Sequence, residues 1–350
     1  MFTKSFVKGL TKFSFAELFI PLVVVASSSL WLSGRSTSLL LFIKFTLCYL
    51  MMVLSLQVFV GNSGVLSFGH GSFAMVGAFV SGLATAPLMI KQNAMALSNL
   101  WQPLVDFKLN LGMSLLASAF AGGVFAAFTG GFLMRLNGLA AGIATFALLG
   151  ITYNILFNNN HVGPSNQALP GVSQFSNLTL PLVLVLLAMI MVYFYNLSRA
   201  GRTLRATRED NLASRGLGIN IIRVRWMSFA FSGVLAGLAG AMYAHVGGAV
   251  QVQDYYLGFT FYTLAMLIVG GSASLWGAVL GTVVVSGVSQ ILLMWEQSSP
   301  VFGITIHLPI GTRAIVIAGM LVVILLWRPN GISNGSEIKL PNFLRKIKAS

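Results

Sequence analysis

Negative charge is scarce in this chain. Only seven of its 350 residues are Asp or Glu, against 21 Lys or Arg, and charged residues of both signs make up 8%. A soluble domain carries about 25% charged residues. A fully water-exposed surface is therefore excluded, and lipid must solvate much of the exterior. Cysteine is nearly absent. Cys48 stands alone in an apolar stretch, which rules out an intrachain disulfide or a thiolate metal cluster and reads as a small buried hydrophobe. Histidine is limited to His70, His161, His245 and His307. No HExxH or GxSxG motif accompanies them, so no catalytic or metal site is expected. No GxxxxGK[ST] occurs either, so the chain should not bind ATP as a motor.

What the chain has is long apolar runs. Hydrophobic residues make up 56%, and a spanning helix needs roughly 20 mostly apolar residues. Ten candidates run over 15–32, 39–60, 64–85, 110–134, 138–157, 178–197, 226–246, 258–271, 275–294 and 312–327. They are continuously apolar rather than alternating, which predicts helices and not a barrel. The expected fold is an all-α integral membrane protein with about ten transmembrane helices (8–10), some short or re-entrant. The runs at 258–271 and 312–327 are the short ones. Trp31, Trp101, Trp226, Trp276, Trp295 and Trp327 lie near span ends, where indole favours the interface.

The net charge of +14 points to membrane topology rather than nucleic acid, because the basic residues sit between apolar segments. Ten crossings from a cytoplasmic N-terminus put residues 1–14, Arg135, 199–225 and the tail after Trp327 in the cytoplasm. These hold 16 of the 21 Lys and Arg, as the positive-inside rule requires. Lys4, Lys8 and Lys12 read as a cytoplasmic anchor with no cleaved leader. The expected organisation is a cytoplasmic segment (1–14), a polytopic domain (15–327) with a cytoplasmic loop at 199–225, and a basic tail (328–350).

Four segments carry candidate chemistry. Residues 61–72, GNSGVLSFGHGS, are rich in glycine and serine at membrane depth. Glycine costs about 1 kcal/mol against alanine in a helix interior. Two readings stay open: a broken helix lining a cavity, or close packing by small residues. His70 is equally open between a structural bond and ligand contact. Residues 270–281, GGSASLWGAVLG, are similar in glycine content. Residues 199–220, RAGRTLRATREDNLASRGLGIN, predict a short helix from about 202 to 215, ending at Gly216 or Gly218. Arg199, Arg202, Arg205 and Arg208 recur every third residue along this stretch, followed by Glu209 and Asp210. Such a segment contacts anionic lipid and is a natural docking handle for a motor subunit. Residues 158–174 form a loop on the outer face, suited to a delivery protein or a pore mouth.

These stretches carry a resemblance. GNSGVLSFGHGSFAMVGAF resembles the early signature of branched-chain amino-acid ABC permeases. GRTLRATREDNLASRGLGIN followed by RWMSFAFSGVLAGLAGAMYA resembles their cytoplasmic loop and next span. LAMLIVGGSASLWGAVLG resembles their late glycine-rich segment. GRTLRATRED and SLWG fit the LivM-type subunit better than the LivH-type partner. The resemblance implies an ABC importer permease fold in a bacterial cytoplasmic (inner) membrane, both termini cytoplasmic. It implies a second, LivH-like permease, two cytoplasmic ATPase subunits carrying ATP and Mg, and a periplasmic solute-binding protein. Membrane lipid is a further partner; no cofactor is expected in this chain.

By the match, Arg205, Arg208, Glu209, Asp210, Ala213, Gly216 and Gly218 are the ATPase-coupling region. Asn62, Gly64, Ser67, Gly69, His70 and Gly71 are placed along the solute path. The outer loop VGPSNQALPGV departs from the family pattern at Pro164 and Ala168. The span TFALLGITYNILF lacks the usual glutamate. Urea and short amides therefore stand beside branched-chain amino acids as possible solutes. An ion-coupled carrier is the competing class. It needs carboxylates at mid-span, whereas Glu17, Asp106, Glu209, Asp210, Asp254, Glu296 and Glu337 map near span ends or in loops. An intramembrane enzyme is disfavoured by its lack of a nucleophile–base or metal motif.

Overall fold

The computed structural model describes residues 15–33, 36–93, 100–297, 308–309, 311–335 and 337. The basic N-terminal segment 1–14 and most of the basic tail lie outside the described residues. The described residues are mostly helical. In order come α1 (Phe15–Ser33), α2 (Thr37–Leu56, prolonged by a π-helical turn Gln57–Gly61), α3 (His70–Thr85), and the short α4 (Leu88–Asn93) and α5 (Gln102–Val105). Then follow α6 (Leu111–Leu133), α7 (Gly138–Asn158), α8 (Thr179–Leu197), α9 (Arg199–Glu209), α10 (Asn211–Gly216) and α11 (Ile221–Gly247). The last are α12 (Leu257–Gly270), α13 (Leu275–Glu296) and α14 (Thr312–Trp327).

Six of these are long and apolar enough to cross a membrane: α2 with its π turn, α6, α7, α8, α11 and α13. The other four apolar segments also fold as helices but fall short. α3 has 16 residues because the chain ahead of it, from Gly64 to Ser67, is not helical; Gly64 has φ +70°. α12 has 14 residues and stops at Gly271, whose φ is +109°. The run 64–85 is thus a connection followed by a helix, and the glycines that make it look unlike a lipid-facing span are the physical cause.

α11 is the hub, packed against α6, α3 and α2. Its approach to α6 and α3 is backbone on backbone. A Cβ at Gly240 would meet the Ala74 carbonyl oxygen at 1.8 Å, and one at Gly237 would meet that of Ser118 at 2.4 Å. Without a hydrophobic drive between helices in lipid, such close approach supplies the van der Waals attraction that holds them.

Connections gather at two opposite ends. At one end, the Gly64–Gly69 connection, the α12–α13 junction, α9 and residues 331–337 meet. There Ser333 N donates to Gly270 O at 3.0 Å, and Glu337 accepts from the amides of Leu275 (2.6 Å) and Trp276 (3.1 Å). At the other end, β1 (Leu169–Pro170) pairs antiparallel with β2 (Ala249–Val250), and Trp101 N donates to His161 O at 3.0 Å. Lys44, a cation inside α2, is explained here. The loop ahead of α8 folds inward, and Lys44 Nζ donates to Phe175 O at 2.8 Å.

Candidate coupling site and cavity

The basic loop forms two helices, not one. α9 is begun by Ser198, whose hydroxyl accepts from Gly201 N at 3.2 Å. It stops at Glu209 because Asp210 turns extended and caps α10, accepting from Leu212 N at 2.8 Å and Ala213 N at 3.0 Å. The single helix expected over 202–215 is therefore split, and the acidic residue in the middle is the cause: a side-chain cap satisfies amides that a continuous helix would bond internally. Gly216 ends α10 and Gly218, with φ +77°, turns the chain beyond it. Glu209, Ala213, Gly216 and Gly218 are exposed.

α9, whose Arg208 reaches the end of the π turn that prolongs α2, lies against α11 and α8. Gly201 permits the contact, since a Cβ there would sit 2.4 Å from Tyr195 O. Arg205 donates through Nη2 to the carbonyl of Asn196, the penultimate residue of α8. Burial lowers the Arg205 pKa, and the Glu337 carboxylate acts in the opposite sense. Arg208 donates through Nη1 to Gly61 O at 2.6 Å. Both acceptors are C-terminal helix carbonyls, where the macrodipole favours a cation.

A polar chain joins the two contacts. Asn62 Nδ2 donates to Val58 O and to Asn196 Oδ1, each at 2.9 Å. Asn196 Nδ2 reaches Gln57 Oε1 at 3.5 Å, while Gln57 Nε2 is buried without a partner among the described residues. Gln57 opens the π turn. Such turns store strain and recur at functional sites.

The residues placed on the solute path by the family resemblance lie in this packed region. Gly61 abuts the second glycine-rich stretch: a Cβ on it would lie 2.1 Å from Ser272 O. Gly64 lets the Arg208 stem cross, since a Cβ there would be 2.9 Å from Arg208 Cγ. Ser67 and His70 are fully buried. The His70 ring is held by Ser67 Oγ at Nδ1 (3.1 Å) and Ser232 Oγ at Nε2 (3.0 Å), among Phe59, Phe73 and Phe229. Ser232 Oγ already donates to Phe229 O at 2.8 Å, which makes it the acceptor of an Nε2–H. Gly69 lies by Thr145, and a Cβ on Gly71 would be 2.4 Å from Thr260 Oγ1.

Two features escaped sequence reading. α10 and its C-cap expose Leu212 (81%) and Leu217 (80%) at the tip of a charged loop. Leucines amid arginines are the signal that could have found them. The second is a cavity of about 770 Å³ among α2, α12, α13 and α14. Tyr49, Tyr243, Phe259 and Tyr262 line it, with Asp254 and Arg313 at the end away from α9. No segment of the sequence announces it, because its residues come from five places in the chain. A separate groove of about 590 Å³ at the α9 end is lined by Arg135, Arg223 and Trp226.

Among the described residues, six helices are long and apolar enough to cross a membrane, and a basic helix pair joins them at one end. The chain belongs to the family described as branched-chain amino acid transport system / permease component, which matches residues 38–325. It is 28% identical over 273 residues to the high-affinity branched-chain amino acid transport system permease protein LivM of Salmonella typhimurium, covering 68% of this chain and 60% of that one. It is 25% identical over 271 residues to LivH of Escherichia coli (70% and 81%). It is 26% identical over 208 residues to the autoinducer 2 import system permease protein LsrC of Yersinia pseudotuberculosis (54% and 58%). The chain spans about 60% of the length of the LivM relatives it matches. No solved structure matches it.

Proposed function

We propose that this chain is the permease subunit of an ATP-driven importer in a bacterial inner membrane, forming half of the translocation path for a branched-chain amino acid or a related small polar solute. The Arg208–Gly61 contact carries the reading. It ties the most basic loop directly to the broken segment of the bundle, as a helix that relays motor movement must be tied. The names of the LivM and LivH relatives support the solute class.

In this reading all ten apolar helices cross the membrane, with both termini and the α9–α10 pair in the cytoplasm. Two ATPase subunits, holding ATP and Mg, dock on α10 through Leu212 and Leu217. A second, LivH-like permease completes the path, and a periplasmic binding protein delivers solute at the Asp254 end. ATP-driven closure of the motors shifts α9, and Arg208 pulls on the π turn. The stretch Asn62–Gly71, with Asn62, Ser67 and His70 buried and Gly64 and Leu66 exposed, is then the moving wall of the path. The Arg135–Arg223–Trp226 groove suits an anionic lipid headgroup. An ion-coupled carrier is disfavoured because Asp210, Glu296 and Glu337 serve as helix caps.

The test is a tagged pull-down from native membranes in mild detergent, followed by mass spectrometry. The expected result is a second permease-like chain with Walker-motif ATPases, and ATP-dependent amino-acid uptake on reconstitution. Recovery of this chain alone under cross-linking, or uptake abolished by an uncoupler at constant ATP, would overturn the reading.

A further inference from the structure

The cavity among α2, α12, α13 and α14 is walled by rings that meet edge to face or tilted. Tyr49 and Tyr262 have centroids 4.9 Å apart, Tyr49 and Tyr243 5.9 Å, and Tyr243 and Phe259 5.5 Å. Such a cluster offers ring edges and faces to a guest, and aromatic pairs attract beyond what their buried area supplies. Its volume of about 770 Å³ lies within the range of about 300–1,000 Å³ for sites that enclose drug-sized ligands.

The rim carries one charge of each sign. Asp254 follows α11 in the short 3-10 turn Val252–Tyr255, and Arg313 is in the first turn of α14. Neither side chain is hydrogen-bonded or ion-paired among the described residues, although both line the same cavity. Asp210, Glu296 and Glu337 are engaged as caps, so Asp254 is set apart by facing a cavity. Burial raises the Asp254 pKa, a desolvation that a bound cation would offset.

We propose that this cavity is a solute site belonging to this chain, and that it takes a zwitterionic amino acid with an aromatic side chain. Asp254 receives the ammonium, Arg313 the carboxylate, and the Tyr49–Tyr243–Tyr262 cluster the ring. The proposal rests on the permease reading and deepens it: the site lies at the end where that reading has solute arrive, and its aromatic wall favours a ring over a branched chain.

The experiment uses the full chain with its co-purifying subunits in lipid nanodiscs and tritiated L-phenylalanine as probe. Competitors are L-leucine, L-phenylalaninamide, which lacks the carboxylate, and 3-phenylpropanoate, which lacks the ammonium. L-Phenylalanine should bind about tenfold tighter than either one-charge analogue, the discrimination that a charged hydrogen bond supplies, and tighter than L-leucine, which keeps both charges but brings no ring to the aromatic wall. Arg313→Gln should weaken phenylalanine about tenfold and leave phenylalaninamide unchanged, with Arg313→Lys restoring part of the loss. Asp254→Asn should do the converse, sparing 3-phenylpropanoate. If L-leucine binds as tightly as L-phenylalanine, or both variants bind like the parent while ATP-dependent leucine uptake persists, the site is wrong and the permease reading survives. A co-purified lipid that phenylalanine cannot displace overturns the site in the same way. Failure of the intact complex to take up any amino acid with ATP overturns both.

Discussion

Arg208 Nη1 donates a 2.6 Å hydrogen bond to the Gly61 carbonyl, joining two segments 147 residues apart in sequence. The guanidinium sits at the C-terminal end of the π turn, where free carbonyls carry partial negative charge. The stem crosses Gly64, which has no side chain to obstruct it. The bond ties α9 to the turn that breaks α2 from α3.

Arg208→Met keeps much of the stem and removes the charged donor. Hydrogen bonds to charged groups contribute about 1.5–3 kcal/mol, so solute uptake by the reconstituted complex should fall roughly tenfold or more. ATP hydrolysis should persist, uncoupled from uptake. Uptake at the parental rate per ATP would show that the contact transmits nothing.

Leu212→Asp and Leu217→Asp place charges on the two exposed leucines of the α10 tip. The bundle does not use these side chains, so yield and thermal unfolding should be unchanged. Co-purification of the ATPase subunits should be lost. Undiminished ATPase recovery with both variants would remove the docking role of α10.

Gly240→Val inserts carbon where a Cβ alone would come within 1.8 Å of Ala74 O. Overpacking costs typically 1–3 kcal/mol and more where backbone must move. The variant should fail to accumulate in membranes or unfold at much lower temperature. Gly112, whose Cβ would meet nothing within 4 Å, is the control; Gly112→Ala should behave as the parent.

Ser232→Ala leaves the buried His70 Nε2–H without its 3.0 Å partner. An unsatisfied buried donor costs about 1–3 kcal/mol, and the midpoint of thermal unfolding should fall accordingly. Solute preference should not change. A switch in preference at constant stability would move His70 from bracing to solute recognition.

Some of this was legible in the sequence because its cause is local. Leu178–Leu197 carries no charge, and the helix found there, Thr179–Leu197, begins and ends within a residue of that stretch. The clustering of Lys and Arg at 199–225 marked the loop that became α9 and α10. The break at Asp210 was not read: the sequence suggested one helix over about 202–215, whereas Asp210 turns extended and caps a second one. His70 was ambiguous for a physical reason. Whether a buried imidazole is braced or binding depends on what faces it, and Ser232 lies 162 residues away. The Asp254–Arg313 cavity was invisible for the same reason: its wall comes from α2, α11, α12, α13 and α14, and no spacing rule relates them.

The sequence by itself determined that the chain lives in lipid, that it is helical, where the apolar helices lie, and which family it resembles. Each follows from composition, hydropathy or motif, and none needs a partner residue far along the chain. Only the tertiary structure decided that α11 is the hub, that Arg208 reaches Gly61, that His70 is held on both nitrogens, and that aromatic rings from separate helices enclose one cavity. In lipid, apolar sequence drives insertion but does not distinguish one neighbouring helix from another. That choice falls to close packing and long-range polar pairs, which exist only once the helices have met.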